Sequence, residues 1–124
     1  MMAPRVLVVD DSELNIEIAT YLLTRAGMRV ASVLDPGGVL AQVAAFAPDL
    51  VLMDIQMPGI DGLALTEQLR SQPSTHDLVI VAFTAYAMKG DRERFIAGGC
   101  DGYIGKPIDV ATFADEVRAL LPVR

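Results

Sequence analysis

The stretch RVLVVDDSELN (Arg5–Asn15) joins a strand-like apolar run directly to two adjacent aspartates. Two carboxylates about 4 Å apart repel each other by roughly 4 kcal/mol where the effective dielectric constant is near 20. Because the strand ends in Asp10 and Asp11, we expect these two side chains to lie at a site where positive charge offsets this repulsion. The source of that charge depends on the other residues that the fold brings to the same site.

Short apolar runs alternate with amphipathic segments along the whole chain. The first, third and fourth runs are almost continuously apolar, which is typical of strands that are covered on both faces. The predicted strands are Arg5–Val9, Arg29–Val33, Leu50–Asp54, Leu78–Thr84 and Gly102–Gly105.

The segments between these runs have apolar residues at helical spacing. The first helix is predicted to stop at Gly27, and the last is predicted to be capped by Asp109. The predicted apolar face of the first helix is formed by Leu14, Ile18, Tyr21 and Leu22. The predicted stripe of the last helix is formed by Val110, Phe113, Val117, Leu120 and Leu121.

Strict alternation of strands and helices predicts an α/β fold with helices on both faces of a parallel sheet. Right-handed crossovers leave few topologies, of which we expect the flavodoxin-like (βα)5 fold, a doubly wound five-stranded sheet of order 2-1-3-4-5. The 124 residues fit one domain, residues 1–124. In such a sheet, ligands bind beyond the carboxyl ends of the strands, at the switch point between strands one and three.

Composition narrows the function classes. A formal net charge of -6 argues against a standing nucleic-acid surface, because phosphate backbones are bound by Lys and Arg. The sequence has no apolar run of about 18 residues, so we expect no membrane span. Its one cysteine, Cys100, cannot form an internal disulfide, and a cytoplasmic location is the default expectation.

Polar side chains follow four of the predicted strands at their carboxyl ends. They are Asp10 and Asp11 after strand one, Asp54 at strand three, Thr84 at strand four and Lys106 after strand five. A carboxylate cluster suits Mg²⁺, which prefers oxygen ligands. With a metal and cations to neutralise developing charge, an ionised Asp54 is a competent nucleophile for a phosphoryl group. The pattern predicts an aspartyl-phosphate site with Lys106 and Thr84 as donors.

Each of these residues has an ordinary explanation when it is taken alone. Asp11 or Ser12 can be a helix N-cap, Thr84 the end of a strand and Lys106 a solvated surface charge. The coincidence of all of them at neighbouring strand ends favours the functional interpretation.

Four longer segments carry a resemblance to a known family. They are VLVVDDSELN, DLVLMDIQMPGIDG, VAFTAYAMKGD and GCDGYIGKPID, and together they span nearly the whole chain. With them the sequence resembles the CheY-like receiver domains of two-component response regulators. Within that family it is similar to DivK-type single-domain regulators and to the receivers of hybrid histidine kinases.

The resemblance implies a role for each site residue. Asp54 would accept a phosphoryl group from a kinase phosphohistidine. Asp11, Asp54 and the backbone carbonyl of Gln56 would bind Mg²⁺ directly, and Asp10 would assist through water. Lys106 would contact the phosphoryl group and would precede a cis peptide bond to Pro107. Thr84 and Tyr103 would be the switch residues, and the 85–88 loop after Thr84 would change most. Tyr86 in that loop is expected to slow hydrolysis of the phosphorylated aspartate.

The resemblance also implies the partners. They would be a sensor histidine kinase or histidine phosphotransferase and a protein that binds the phosphorylated form, with no nucleic acid and no membrane. We expect a monomer or weak dimer, and self-phosphorylation and slow self-dephosphorylation at Asp54 rather than turnover of an external substrate. A receiver excised from a larger regulator or hybrid kinase remains an alternative, as does a degenerate receiver that binds partners without phosphate.

Two other classes share parts of this pattern. Haloacid-dehalogenase-like phosphatases carry a second Asp, the general acid, two residues after the nucleophile, where this chain has Gln56. A flavodoxin-like cofactor binder needs a phosphate cradle after the first strand, where Asp10 and Asp11 would repel phosphate. Both alternatives are therefore disfavoured.

Overall fold

Five parallel strands form the central sheet of this protein, in a computed structural model that describes residues 3–57, 59–85 and 90–122. The strands are β1 (Arg5–Val9), β2 (Arg29–Val33), β3 (Leu50–Asp54), β4 (Val79–Thr84) and β5 (Gly102–Gly105). The helices are α1 (Glu13–Arg25), α2 (Val39–Phe46), α3 (Gly62–Arg70), α4 (Asp91–Ala97) and α5 (Phe113–Leu120). Tyr86 and the rest of the 86–88 segment lie outside the described residues.

The strand order is β2-β1-β3-β4-β5, and every neighbouring pair is parallel. The predicted flavodoxin-like (βα)5 fold is therefore confirmed. Because all five strands run the same way, their carboxyl ends meet at one edge of the sheet. At that edge Val9 lies opposite Met53, and Thr84 lies opposite Gly105.

The hydrophobic core has two layers, one on each face of the sheet. On one face Val8, Leu52 and Ile104 pack against α1 and α5. On the other face Val9, Met53 and Ala82 pack against α2, α3 and α4. The alternation of side chains along each strand supplies both layers at once, which explains why β1, β3 and β4 are apolar at nearly every position.

The predicted buried face of α1 is only partly correct, because Leu22 packs against the core whereas Leu14 and Tyr21 do not. Leu14 is 64% exposed and Tyr21 is also exposed, whereas Ala19 and Leu23 are fully buried. Packing selects a face rotated from the predicted one, because α1 contacts both the sheet and α5. The exposed ring of Tyr21 is covered by Arg25, whose guanidinium lies 5.5 Å from the ring centroid and donates to the Tyr21 hydroxyl.

The last helix begins later than predicted. Asp109 is not its cap, because the Asp109 carboxylate accepts from the N–H of Ala111, and its backbone carbonyl accepts from Thr112 and Phe113. These bonds close a turn that precedes α5, as an aspartate side chain commonly does when it competes with a helix start. Val110 lies in this turn and is exposed, so it does not belong to the buried stripe.

A short antiparallel ribbon follows β3 and was not predicted. Gln56–Met57 pairs with Ile60–Asp61, and the Asp61 carboxylate then caps α3 by accepting from the N–H of Leu63. This ribbon forms the rim of the edge where the candidate site lies. Among the described helices, none combines the length and apolar character needed to cross a membrane.

Candidate functional site

Three charged side chains meet at the carboxyl edge of the sheet, between β1, β3 and β5. The ammonium of Lys106 lies 2.8 Å from a carboxylate oxygen of Asp10 and 3.4 Å from one of Asp54. The Lys106 side chain is only 14% exposed, and both aspartates are buried. The ammonium also lies 4.8 Å from the ring centroid of Phe83. Lys106 is therefore held deep in the site and offsets the repulsion between the two buried acids.

Asp10 is the most deeply buried acid of the site. Its carboxylate accepts from the backbone N–H of Ser12 at 2.9 Å and from the side-chain amide of Asn15 at 3.4 Å. Ser12 in turn caps α1 by accepting from the N–H of Asn15. Asn15 was not expected to take part in the site, although its place one turn into α1 is the signal that could have identified it. These bonds hold Asp10 in one position beside Lys106.

Asp54 is the last residue of β3, and its side chain is only 4% exposed. It accepts from the backbone N–H of Gln56 at 2.9 Å. Burial raises the pKa of Asp54 to about 6, although the Gln56 hydrogen bond and the charge of Lys106 lower it and the charge of Asp10 raises it. The buried position thus penalises the charged form of this carboxyl.

The raised pKa makes a prediction for stability in the absence of divalent ions. Between pH 4 and 6 the folded state binds the Asp54 proton more tightly than the unfolded state, so this group's contribution to stability falls as pH rises through about 6. Asp54→Asn removes the buried charge. We expect the variant to be more stable than the wild type by about 1–3 kcal/mol at neutral pH, with little difference near pH 4.

Urea unfolding in EDTA at both pH values measures this difference. Asp115→Asn is the matched control, because Asp115 is exposed on α5. An Asp54→Asn variant that is equally stable or less stable at neutral pH contradicts the prediction.

Carboxylate oxygens of Asp10, Asp11 and Asp54 lie within 4.8 Å of one another. Asp11 is the exposed member of the cluster, so it faces the opening while the other two lie inside. Three carboxylates at this spacing fit a hard divalent cation such as Mg²⁺, which takes oxygen ligands and keeps several waters. The structure thus brings together the acidic residues expected to hold the ion, with the Gln56 backbone next to Asp54.

Thr84 and Tyr103 lie on the face of the sheet that packs against α2, α3 and α4. Thr84 is fully buried at the end of β4, and its carbonyl accepts from the N–H of Lys106 at 2.8 Å. The Tyr103 ring stacks on Phe95 of α4, with 6.2 Å between the ring centroids. Gly105 lies between Thr84 and Tyr103. It pairs with Thr84 across the sheet, and a Cβ built on it would lie 3.5 Å from the Tyr103 hydroxyl.

The peptide bond between Lys106 and Pro107 is cis, as the resemblance implied. Six of the described residues expected at the site lie at this one edge of the sheet: Asp10, Asp11, Asp54, Gln56, Thr84 and Lys106. Tyr103 lies within β5, opposite Ala82, with its ring against α4. The geometry of the six residues at the edge suits a buried carboxylate nucleophile beside a fixed ammonium and a cation site.

Comparison with known sequences identifies relatives over the full chain. Residues 6–118 match the sequence model of the family described as response regulator receiver domain. The chain is 37% identical over 120 residues to the polar-differentiation response regulator DivK of Brucella anthropi, covering 97% of this chain and 98% of that protein. DivK of Brucella ovis is similar to the same extent.

Solved structures support the same fold. The chemotaxis protein CheY4 of Vibrio cholerae superposes with a TM-score of 0.89 at 24% identity, covering 97% of this chain and all of that chain. The signal receiver domain of a signal transduction histidine kinase from Syntrophus aciditrophicus superposes with a TM-score of 0.83 at 28% identity, covering 96% and 90% of the two chains.

Proposed function

The chain belongs to the response regulator receiver domain family and is a two-component receiver, and on this premise we propose that Asp54 is its phosphoryl acceptor. One observation carries the assignment. The carboxylate of Asp54 lies at the carboxyl edge of the sheet, inside a cluster of three aspartates and 3.4 Å from the Lys106 ammonium. We propose further that residues 1–124 are a single receiver domain.

In the proposed reaction a carboxylate oxygen of Asp54 attacks the phosphorus of a phosphohistidine. The new P–O bond forms as the P–N bond breaks, and the histidine ring leaves with the electron pair and takes up a proton. The product at Asp54 is an acyl phosphate. Lys106 supports this step because its ammonium is already fixed beside the attacking carboxylate and can contact the phosphoryl oxygens.

Receiver domains bind Mg²⁺ at an acidic pocket, and this protein has a cluster of aspartates that could hold the ion. We assign the direct ligands to Asp11, Asp54 and the backbone carbonyl of Gln56, with Asp10 acting through water. When bound, the ion supplies positive charge that offsets the carboxylates and the incoming phosphoryl group. Asp10 keeps its bond to Lys106 and so positions the ammonium.

Phosphorylation adds negative charge and strong acceptor oxygens to the pocket. We propose that the Thr84 hydroxyl donates to one of these oxygens and that Tyr103 responds by turning further inward. Tyr103 is half-buried, and its hydroxyl lies near Gly105, which is paired with Thr84. A movement of Thr84 can therefore be transmitted to Tyr103 through Gly105. The phosphoryl group favours the conformation in which Thr84 makes this hydrogen bond. Phosphorylation therefore shifts the population between two conformations of Thr84 and Tyr103.

Receiver domains interact with histidine kinases or phosphotransferases and with downstream partners, and they are generally not enzymes themselves. We propose that this chain takes its phosphoryl group from such a donor in the cytoplasm and binds a further protein when phosphorylated, with self-phosphorylation and slow self-dephosphorylation at Asp54 only. The likeness to DivK of Brucella anthropi, of which the chain covers 98%, makes a DivK-like regulator the first candidate. The likeness to a histidine kinase receiver keeps a receiver of a hybrid kinase as the second candidate.

Intact-mass spectrometry after incubation with acetyl phosphate tests the acceptor. We expect a gain of about 80 Da, the mass of one HPO₃ group, on the wild type with Mg²⁺ and none in EDTA. Asp54→Asn should show no gain under either condition. Asp61→Asn is a useful comparison, because Asp61 lies on the rim of the same edge and is expected to leave the acceptor intact.

A gain that persists in Asp54→Asn would show that another residue is the acceptor. A wild type that gains no mass from acetyl phosphate or from a phosphorylated histidine donor, and that binds no Mg²⁺, would favour the phosphate-independent binding module.

A further inference from the structure

A cleft of about 660 Å³ opens beside the phosphorylation site, on the side of α3 and α4. Asp11 and Gln56, which are the exposed part of the proposed metal site, line the cleft. Residues of the ribbon after β3 and Arg94 of α4 also line it. A small phosphodonor that approaches the metal site through this cleft therefore enters a space that Arg94 lines.

Negative charges outnumber positive charges along this cleft. Asp11 and Asp61 line it, and the buried Asp10 and Asp54 lie behind it. Lys106 is engaged with both buried acids at the bottom of the site. Among the described residues that line the cleft, Arg94 is the only one with a positive charge. An anion that enters meets mostly like charge, and Arg94 is the group that can offset it.

Arg94 is held in place while its charge remains accessible. Its side chain is 58% exposed, and the guanidinium carbon lies 5.2 Å from the ring centroid of Phe95, which is fully buried. The closest acidic contact that the described residues give it is Asp91 at 3.8 Å, which is longer than an ordinary hydrogen bond. The planar guanidinium can therefore bind an oxyanion without breaking a short ion pair.

We propose that Arg94 is a specificity-determining residue for phosphotransfer, which binds the anionic phosphoryl group of the donor at the mouth of the site and favours dianionic donors. The inference rests on the proposed function of Asp54. Arg94 contributes to capture of the donor, whereas Lys106 acts in the pocket where the phosphorus is attacked. The preference follows from charge, because one cation attracts a dianion about twice as strongly as a monoanion.

Two small donors distinguish this role from a structural one. At neutral pH acetyl phosphate is a dianion and phosphoramidate is a monoanion. With acetyl phosphate at low ionic strength, we expect Arg94→Gln to lower the second-order rate constant of phosphorylation roughly fivefold, by raising the half-saturating donor concentration and not by lowering the maximal rate. With phosphoramidate the loss should be about twofold. Glutamine retains part of the packing over Phe95, and Arg94→Lys should retain most of the rate.

Ionic strength and a matched variant complete the test. The Debye length falls to about 3 Å at 1 M salt, so the difference between the wild type and Arg94→Gln should nearly disappear there. Arg92→Gln removes the same charge from an exposed position of the same helix that does not line the cleft, and it should stay close to the wild type throughout.

Equal losses in Arg92→Gln and Arg94→Gln, or an equal loss with both donors that persists in high salt, would overturn the proposal. Failure of the proposed function gives a different result. In that case the wild type takes no phosphoryl group from either small donor or from a phosphorylated histidine donor, or Asp54→Asn is still phosphorylated.

Discussion

Lys106→Met is expected to reduce the free energy of unfolding by about 3–5 kcal/mol at neutral pH. The substitution leaves Asp10 and Asp54 buried and close together without the ammonium that lies 2.8 and 3.4 Å from them. The loss of this positive charge also removes an influence that lowers the pKa of Asp54. The loss of stability should therefore be larger at pH 7.5 than at pH 5, because Asp54 is increasingly protonated as the pH falls.

Urea unfolding in EDTA at pH 5 and pH 7.5 measures this effect. The double variant Asp10→Asn/Lys106→Met removes both members of the shorter ion pair, while the asparagine can still accept from the N–H of Ser12. We expect it to recover a substantial part of the stability, because replacing both partners costs less than removing one. If the double variant is as unstable as the sum of the two single variants, the pair is not the source of the loss.

Gly62→Ala is the other substitution with a large expected effect. Gly62 begins α3, and its N–H donates to the carbonyl of Ile55 at 3.1 Å. A Cβ at this position would clash with the carbonyl oxygen of Asp54 and would lie 2.8 Å from the Cα of Ile55. Both neighbours are backbone atoms of the segment that carries the acceptor, so the clash can be relieved only by moving α3 or that segment.

We expect Gly62→Ala to cost at least about 3 kcal/mol and to slow phosphorylation of whatever folded protein remains, because Asp54 is displaced. Gly105→Ala is the matched control. A Cβ at Gly105 meets its nearest atom, the Tyr103 hydroxyl, at an ordinary contact distance of 3.5 Å, so this variant should lose less than about 1 kcal/mol. Thermal unfolding and the rate with acetyl phosphate test both variants. Equal stability of the two alanine variants would contradict the close approach of α3 to β3.

Much of the site could be predicted because it lies at the strand ends. Asp54, Thr84 and the residues that follow β1 and β5 are fixed in space by where each strand stops, and the strands were recognisable as apolar runs. The same reasoning missed Asn15 and Gly62. Asn15 reaches Asp10 only because α1 returns over the sheet at a particular angle, and Gly62 matters only because α3 approaches the backbone of Asp54.

The errors in the helices have a related cause. Helical periodicity says which residues share a face, but the packing partner decides which of two adjoining faces is buried. In α1 the buried residues are Ala19 and Leu23 and not Leu14. At α5 the local bonds of Asp109 outweighed the apolar spacing, so the helix starts at Phe113.

The sequence by itself determined the parallel sheet and the gathering of Asp10, Asp54 and Lys106 at one edge, and it left few possible strand orders, of which the expected one is present. It could do so because strand alternation and the direction of parallel strands are local properties that repeat along the chain. Only the tertiary structure decided that Lys106 lies between the two buried acids, that Asp11 is the exposed member of the cluster, and that Arg94 faces the cleft. These depend on distances between residues far apart in the chain, which no pattern of neighbouring residues encodes.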